Sequence, residues 1–371
     1  MPIVPDLFFF DPGASAYDFG PRHPLRPVRL ALTLRVLAHC GIEPEMPPPC
    51  SKEELLLVHD GEYVDAIEAL DGVELDARDR EQMQRLRGLG LAGPDTTAFP
   101  GIWKASLAYC AGTVAAARAV LGGASVAFGI AGGLHHARRE MASGFCVFND
   151  AAIAARLLLE RFSRVAYVDI DLHHGDGVQW LLYDEPRVLT CSIHESGETL
   201  FPGTGFLDEV GGAGARFTSL NVPLAAGTTG DVWFEAFRRG VLPAIRRFRA
   251  EAIVLQMGAD PHFRDPLGHL RCTAREWLQA VAAVKALGLP IVALGGGGYD
   301  LQAVPRMWSA GVLTLLGRDL PADLPSGIVL QWENPTLLDE DMPEPRASGA
   351  ARARAVIDWL ESRHHPNVPV P

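Results

Sequence analysis

The chain has 371 residues, 48% hydrophobic and 21% charged, close to the ~45–50% and ~25% of ordinary globular proteins, which excludes disorder, collagen and coiled coil as its main architecture. Lys and Arg number 33 against 45 Asp and Glu, a net charge of −12; this argues against a broad basic surface for nucleic acid and leaves a cationic substrate the less surprising one. Six cysteines without a CxxC spacing signal neither a disulfide framework nor a thiolate zinc site, and they fit a reducing cytoplasm.

The opening MPIVPDLFFFDPG sets an acidic residue beside its phenylalanines and has no basic stretch, so it does not read as a signal peptide. Helical spacing follows over Val28 to His39, Gly61 to Leu70 and Ile102 to Leu121. The weakly charged stretch Ala108 to Leu134 is broken by Arg118 and six glycines, unlike the ~20 uniformly apolar residues of a membrane span. No membrane insertion is expected. A helix over Asp150 to Phe162 precedes two apolar runs, Arg164 to Asp171 and Val188 to His194, that read as buried strands. Then come a helix (Asp231 to Ala250), a strand (Ala252 to Asp260), a helix (Thr273 to Leu287) and a strand (Pro290 to Gly298). This alternation predicts an α/β fold, a central parallel sheet with helices on both faces, whose ligands bind at the carboxyl ends of the strands. From Leu320 to Arg346 the pattern loosens, and a last helical segment, Ala350 to Arg363, leads to a polar tail. We therefore expect one catalytic domain over 1–319 and an extension, 320–371, packed on it; the pair His364 and His365 reads as a solvated terminus.

Chemistry concentrates where the strands end. In DIDLHHGDG (Asp169 to Gly177), Asp171 and His173 stand two apart and project to one side of an extended segment, offering an oxygen and a nitrogen to a divalent metal, with His174 facing elsewhere. Asp260, closing a separate strand, supplies a third ligand and leaves positions open, which is the pattern of a catalytic rather than a structural site. Any one of these residues alone is more simply a helix cap or loop staple. Three Asp and two His in nine residues are not. In GGLHHARREMASGFCVFND (Gly132 to Asp150), adjacent His135 and His136 suit a general base beside a partner of different protonation state, with Asp169 and Asp176 as carboxylates to tune them. The glycines of LGGGGYD (Leu294 to Asp300) permit close backbone approach and set Tyr299 at the mouth of the sheet, where a phenol can hold a developing oxyanion. The other explanation for such a run is a tight turn or phosphate loop, but no GK[ST] follows.

Together with FGPRHPLRPVR (Phe19 to Arg29), GPDTTAFPG (Gly93 to Gly101), LFPGTG (Leu200 to Gly205) and GADPHFRDPLG, these motifs resemble, in order and from about Asp18 to about Gly311, the zinc-dependent histone deacetylase superfamily, in its class I-like and bacterial acetoin-utilisation branch. The resemblance implies a single-domain arginase/deacetylase fold and hydrolysis of N-acetyl-lysine amides in an acetylated protein or peptide. It implies Asp171, His173 and Asp260 as ligands of Zn²⁺ or Fe²⁺, and His135 and His136 as the catalytic pair, with Asp169 and Asp176 behind them and His136 the base. Tyr299 falls at the carbonyl-polarising tyrosine. Gly144, Phe145 and Phe201 fall at the channel walls, Leu267 at the rim, and Asp95 at the rim aspartate that grips substrate backbone. Asp169, Asp171, His173, Ser192 and Ile193 fall at a K⁺ site. His262 and Phe263 depart from the small or aliphatic residues usual after the metal-binding Asp, and Leu200 replaces a common aromatic; His262 is expected to pack a loop rather than bind metal. Acetylpolyamine amidohydrolysis and a silent acyl-lysine-binding module are the alternative functions. The sequence leaves the oligomeric state open.

Overall fold

Short apolar runs that are buried on both faces form parallel strands because every second residue must find cover on each side. In the computed structural model, which describes residues 7–324, 327, 332, 334–339 and 349–370, seven such strands occur among the described residues: β1 (Leu7–Phe9), β2 (Val126–Gly129), β3 (Val165–Asp169), β4 (Val188–Glu195), β5 (Ser219–Leu224), β6 (Ala252–Gln256) and β7 (Ile291–Leu294). They make one sheet in the order β1-β2-β7-β6-β3-β4-β5, every pairing parallel. This is the expected α/β architecture. β1 and β5, which the apolar pattern did not single out, are the two edges, and β5 tolerates Pro223 because an edge strand needs no second ladder.

The helices are α1 (Val28–His39), α2 (Lys52–Leu55), α3 (Gly61–Glu68), α4 (Arg80–Gly88), α5 (Ile102–Leu121), α6 (Asp150–Leu158), α7 (Asp176–Leu181), α8 (Gly230–Phe248), α9 (Ala274–Lys285), α10 (Ala303–Leu316) and α11 (Ala350–Trp359). α5 and α6 pack on each other and on the central strands, while α1, α10, α9 and α8 form a chain of contacts in a second layer. α10 has no polar face to give it a helical signature: twelve of its residues, from Ala303 to Leu315, are buried, so its periodicity is invisible in the sequence. α9 starts at a capping box, Thr273 with Glu276.

Two expectations need correction. The strands stop earlier than read, at Asp169, Gln256 and Leu294. Past β3, Asp169 Oδ1 accepts from Asp171 N (3.0 Å) and Asp171 Oδ1 from His173 N (3.0 Å); side chains that bond their own backbone two residues on end a ladder. The tail is not a solvated terminus either. α11 packs on α8 and β5, His364 is buried, and its Nε2 donates to Ser219 O (2.7 Å), with His365 Nε2 donating to Gly240 O (2.8 Å). No described helix is long and apolar enough to cross a membrane. Parts of the loosened stretch, 325–326, 328–331, 333 and 340–346, lie outside the described residues.

Phe237 of α8 is fully buried and stacks on Trp233 with ring centroids 6.0 Å apart. Phe237→Ala is expected to cost about 3–5 kcal/mol in urea denaturation; a loss under about 1 kcal/mol contradicts close packing under α8.

Candidate active site

The four adjacent strands β2, β7, β6 and β3 send their carboxyl-end loops to one place, since the chain crosses from β2 to β3 over the positions that β7 and β6 later fill. Such a switch in strand order opens a crevice. His135 and His136 follow β2, Asp171, His173 and Asp176 follow β3, Asp260 follows β6 and Tyr299 follows β7.

Asp171, His173 and Asp260 each bring one ligand atom to within 4.8 Å of the others, all buried. His173 Nδ1 lies 3.0 Å from Asp260 Oδ2 and 3.3 Å from Asp171 Oδ1. Asp171 and His173 come from a bend after β3, not from an extended segment as expected, and Asp260 from the loop after β6. The remaining carboxylate oxygens are held from behind: Asp171 Oδ2 accepts from Gln256 Nε2 (2.6 Å) and Gly297 N (2.8 Å), and Asp260 Oδ1 from Leu172 N (2.9 Å). Gly297 is required here, because a Cβ would run into Asp260 Oδ2. Burial disfavours charge on His173, yet the two carboxylates raise it to about 10, while burial and Asp171 push Asp260 up to about 6. Two buried carboxylates thus hold a proton on the imidazole between them. A divalent cation would satisfy the same charge with the imidazole neutral, so two oxygens and one nitrogen with backbone-anchored far sides fit such an ion.

The histidine pair is split by its surroundings. His135 Nδ1 donates to Asp169 Oδ2 (2.8 Å), which also accepts from the Tyr167 hydroxyl (2.6 Å); His136 Nδ1 donates to Asp176 Oδ1 (2.7 Å), whose other oxygen accepts from Arg138 (3.2 Å). Burial lowers both. For His135 the charges of Asp169 and Asp171 overcome it and raise the ring to about 9; for His136 burial and the neighbouring His135 charge win and hold it at about 4. The two Nε2 atoms lie 3.0 Å apart, so one proton sits between them, and these opposed shifts give it to His135. His136 stays neutral, its Nε2 accepting from His135, which is the pattern of an acid and base set by environment.

A cavity of about 190 Å³ opens over these groups, lined by Asp95, His136, Gly144, Phe145, His173, Leu200, Phe201, Leu267 and Tyr299. Phe145 meets Tyr299 edge-on at 5.8 Å and Phe201 meets His136 at 5.1 Å. Phe145 takes a left-handed backbone (φ 67°), held by Thr96 Oγ1 on its N–H (2.9 Å) and the Tyr17 hydroxyl on its carbonyl (2.8 Å). At Gly144, φ 49°, a Cβ would run into the His136 ring. The Tyr299 N–H donates to Asp265 Oδ2 (2.8 Å), and burial with Asp260 raises its phenol well above the usual range, so the hydroxyl stays protonated. Ser192 pairs in register with Asp169, and Glu195 N donates to Leu172 O (2.9 Å), so the end of β4 with Ile193 runs beside the Asp171 to His173 bend.

Several supporting residues were not singled out from the sequence. Asp150, fully buried, accepts from Gly133 N (2.7 Å), Leu134 N (2.8 Å) and Thr113 Oγ1 (2.6 Å), fixing the loop that enters the histidine pair. Asn149 caps α6 and its Nδ2 donates to His135 O and Ala137 O, both 2.9 Å. In the sequence both look like ordinary helix-start residues. Arg29 Nη1 donates to Gly296 O (2.8 Å) and Gly298 O (3.0 Å), bracing the turn before Tyr299. Gln256 looked like one polar residue in an apolar strand; a buried amide with no local partner was the available signal. His262 is buried, and among the described residues the metal-type clusters do not include it.

Comparison with known proteins agrees with this geometry. The histone deacetylase domain family matches residues 23–315. The acetoin utilization protein AcuC of Bacillus subtilis is 36% identical over 353 residues, covering 91% of this chain and 90% of that protein. Histone deacetylase clr6 of Schizosaccharomyces pombe is 34% identical over 333 residues, covering 88% and 81%. The crystal structure of a histone deacetylase homologue from Aquifex aeolicus superposes with a TM-score of 0.86 at 28% identity, over 96% of this chain and 99% of the other.

In the metal-free protein, the folded state keeps on His135 a proton that the unfolded imidazole (pKa ~6.5) releases. Its stabilisation is complete below about 6.5 and is lost as pH rises through about 9. His136 acts in the opposite sense: held near 4, it costs stability as pH falls from about 6.5 towards 4. Thermal melts in excess chelator should therefore decline on both sides of pH 6.5. His135→Asn should make the alkaline limb shallower, leaving the part that His173, raised to about 10, contributes, and a limb unchanged by that substitution contradicts the assignment.

Proposed function

The chain belongs to the histone deacetylase family, and from that premise we propose that it is a metal-dependent deacetylase of N-acetyl-lysine side chains in proteins, working in the cytoplasm. One observation carries the reading: a neutral imidazole, a protonated phenol and His173, one of three clustered ligand-type side chains, border one narrow, aromatic-walled cavity. Asp171, His173 and Asp260 would hold Zn²⁺ or Fe²⁺, a donor set that does not discriminate sharply between them. The ion would polarise the amide carbonyl and acidify a water towards neutral pH.

The protein groups do the rest. Phe145 and Phe201 enclose the four-methylene stem of a lysine whose charge acetylation has removed, with Gly144 giving clearance, while Leu267 and Asp95 at the mouth meet the peptide. His136 Nε2 accepts the proton of the attacking water, and Asp176 stabilises the imidazolium that forms. The Tyr299 hydroxyl donates to the oxygen on which negative charge develops. His136 then returns its proton to the lysine nitrogen, since an amine anion does not leave at neutral pH. His135 stays protonated on Asp169, which leaves His136 the neutral ring of the pair. The buried end of β4, with Ser192 and Ile193 beside Asp169, Asp171 and His173, is read as a K⁺ site that stiffens the bend. Residues 1–319 are read as the catalytic domain and 320–371 as its extension, supported by the packing of α11 on α8 and β5.

Acetate release from an N-acetyl-lysine peptide, run beside N-acetylputrescine, tests the proposal. Chelator-sensitive turnover of the peptide is expected; turnover of the polyamine alone, or of neither, contradicts it. Tyr299→Phe should lower kcat about 10²–10³-fold while bound metal is retained, and near-normal kcat removes the role assigned to the phenol.

A further inference from the structure

His262 lies two residues beyond Asp260, where a small or aliphatic residue was expected, and it is 1% exposed. Its Nδ1 accepts from Arg264 N (3.3 Å), so the proton is on Nε2, which donates to Asp339 Oδ2 (3.1 Å). Asp339 comes from the C-terminal segment, outside the span 23–315 that the family matches. It is itself 4% exposed, and its carboxylate is a hub. Oδ2 also accepts from Ala274 N (2.6 Å), the first residue of α9, and Oδ1 from Arg306 Nη2 of α10 (2.9 Å); Arg306 Nε meanwhile donates to Thr336 O (2.6 Å). Burial works against this charge, but His262 and Arg306 hold the carboxyl well below the usual carboxylate range. A buried carboxylate met by three donors is rigid, and removing one donor leaves unmet charge.

The loop it grips carries the chemistry. Between Asp260 and Leu267 the chain turns back on itself: His262 N donates to Ala259 O (3.3 Å), Asp265 N to His262 O (2.9 Å), and Cys272 N to Pro261 O (3.1 Å). Asp265 in turn accepts from Tyr299 N (2.8 Å) and Leu267 N (3.0 Å). His262 is thus bonded through its backbone to the residues before and after it, and through its ring to a carboxylate anchored on two helices. Backbone bonds alone set the shape of the turn. The ring sets where that turn sits relative to α9 and α10, and hence where Asp260 stands relative to Asp171 and His173.

We propose that the His262 to Asp339 hydrogen bond is a latch through which the C-terminal segment positions the loop of Asp260, making both residues positioning residues for the metal site. This rests on the metal-ligand reading above.

The test uses the full chain and Zn²⁺ alone, with affinity measured by competition against a chromophoric chelator and with the visible spectrum of the Co²⁺ form as a report on ligand geometry. His262→Ala is expected to weaken Zn²⁺ binding about 10–100-fold and to change the Co²⁺ spectrum. His262→Gln, which keeps an N–H, should stay within about threefold of the parent. Should His262→Ala not fold, Asp339→Asn keeps the volume, sets a donor against donors and carries the same expectation. Phe237→Ala, destabilised far from the site, separates positioning from general loss of stability and should bind Zn²⁺ as the parent does. Parent-like affinity and spectrum in His262→Ala or Asp339→Asn overturn the latch alone, as does an equal loss in Phe237→Ala. A parent protein that takes up no ion overturns the metal-site reading and the latch with it.

Discussion

Five carboxylates, Asp150, Asp169, Asp171, Asp176 and Asp260, lie at 1% exposure or less around the ends of β2, β3 and β6. Burying an unpaired carboxylate costs several kcal/mol, and nearly every local feature of the site answers that cost. Backbone N–H groups of Gly133, Leu134, Leu172 and Gly297 point at carboxylate oxygens. Gln256, Thr113 and Tyr167 supply side-chain donors, and the histidines complete the set. The glycines follow from the same constraint, since loops must pass close enough for their amides to donate.

This network also explains how one pair of adjacent imidazoles acquires two characters. His135 faces Asp169 with Asp171 nearby, and His136 faces Asp176, whose charge is shared with Arg138. The first ring is therefore set among more negative charge than the second, and once it is charged it repels a proton from its neighbour. Placing the rings side by side makes the second shift a consequence of the first.

Around the acidic centre the protein builds stiffness in shells. Arg29 braces the glycine turn, Asn149 ties the histidine loop to the start of α6, and Asp339 joins the loop after β6 to α9 and α10. Each of these residues is buried or is drawn from a separate part of the chain. A site whose groups come from the loops after β2, β3, β6 and β7 needs such ties, because no single element fixes their spacing.

The sequence by itself determined the parallel α/β plan and marked the Asp, His and Tyr residues that the fold gathers at the crevice. Both are local signals: apolar runs mark buried strands, and dense Asp and His at strand ends mark a polar centre at the crevice. Even the pairing of two carboxylates with two imidazoles was available from composition. Tertiary structure alone decided the rest. It fixed which carboxylate meets which imidazole, and that His364 is a core residue. It also revealed the support given by Asp150, Gln256, Arg29 and Asp339. α10 was hidden because burial on all sides erases periodicity, and β1 and β5 because short edge strands carry little pattern. Asp339 was hidden because it stands 77 residues from His262, and a hydrogen bond across that separation leaves no mark on the local sequence. It arises only when α9, α10 and the loop after β6 are packed together.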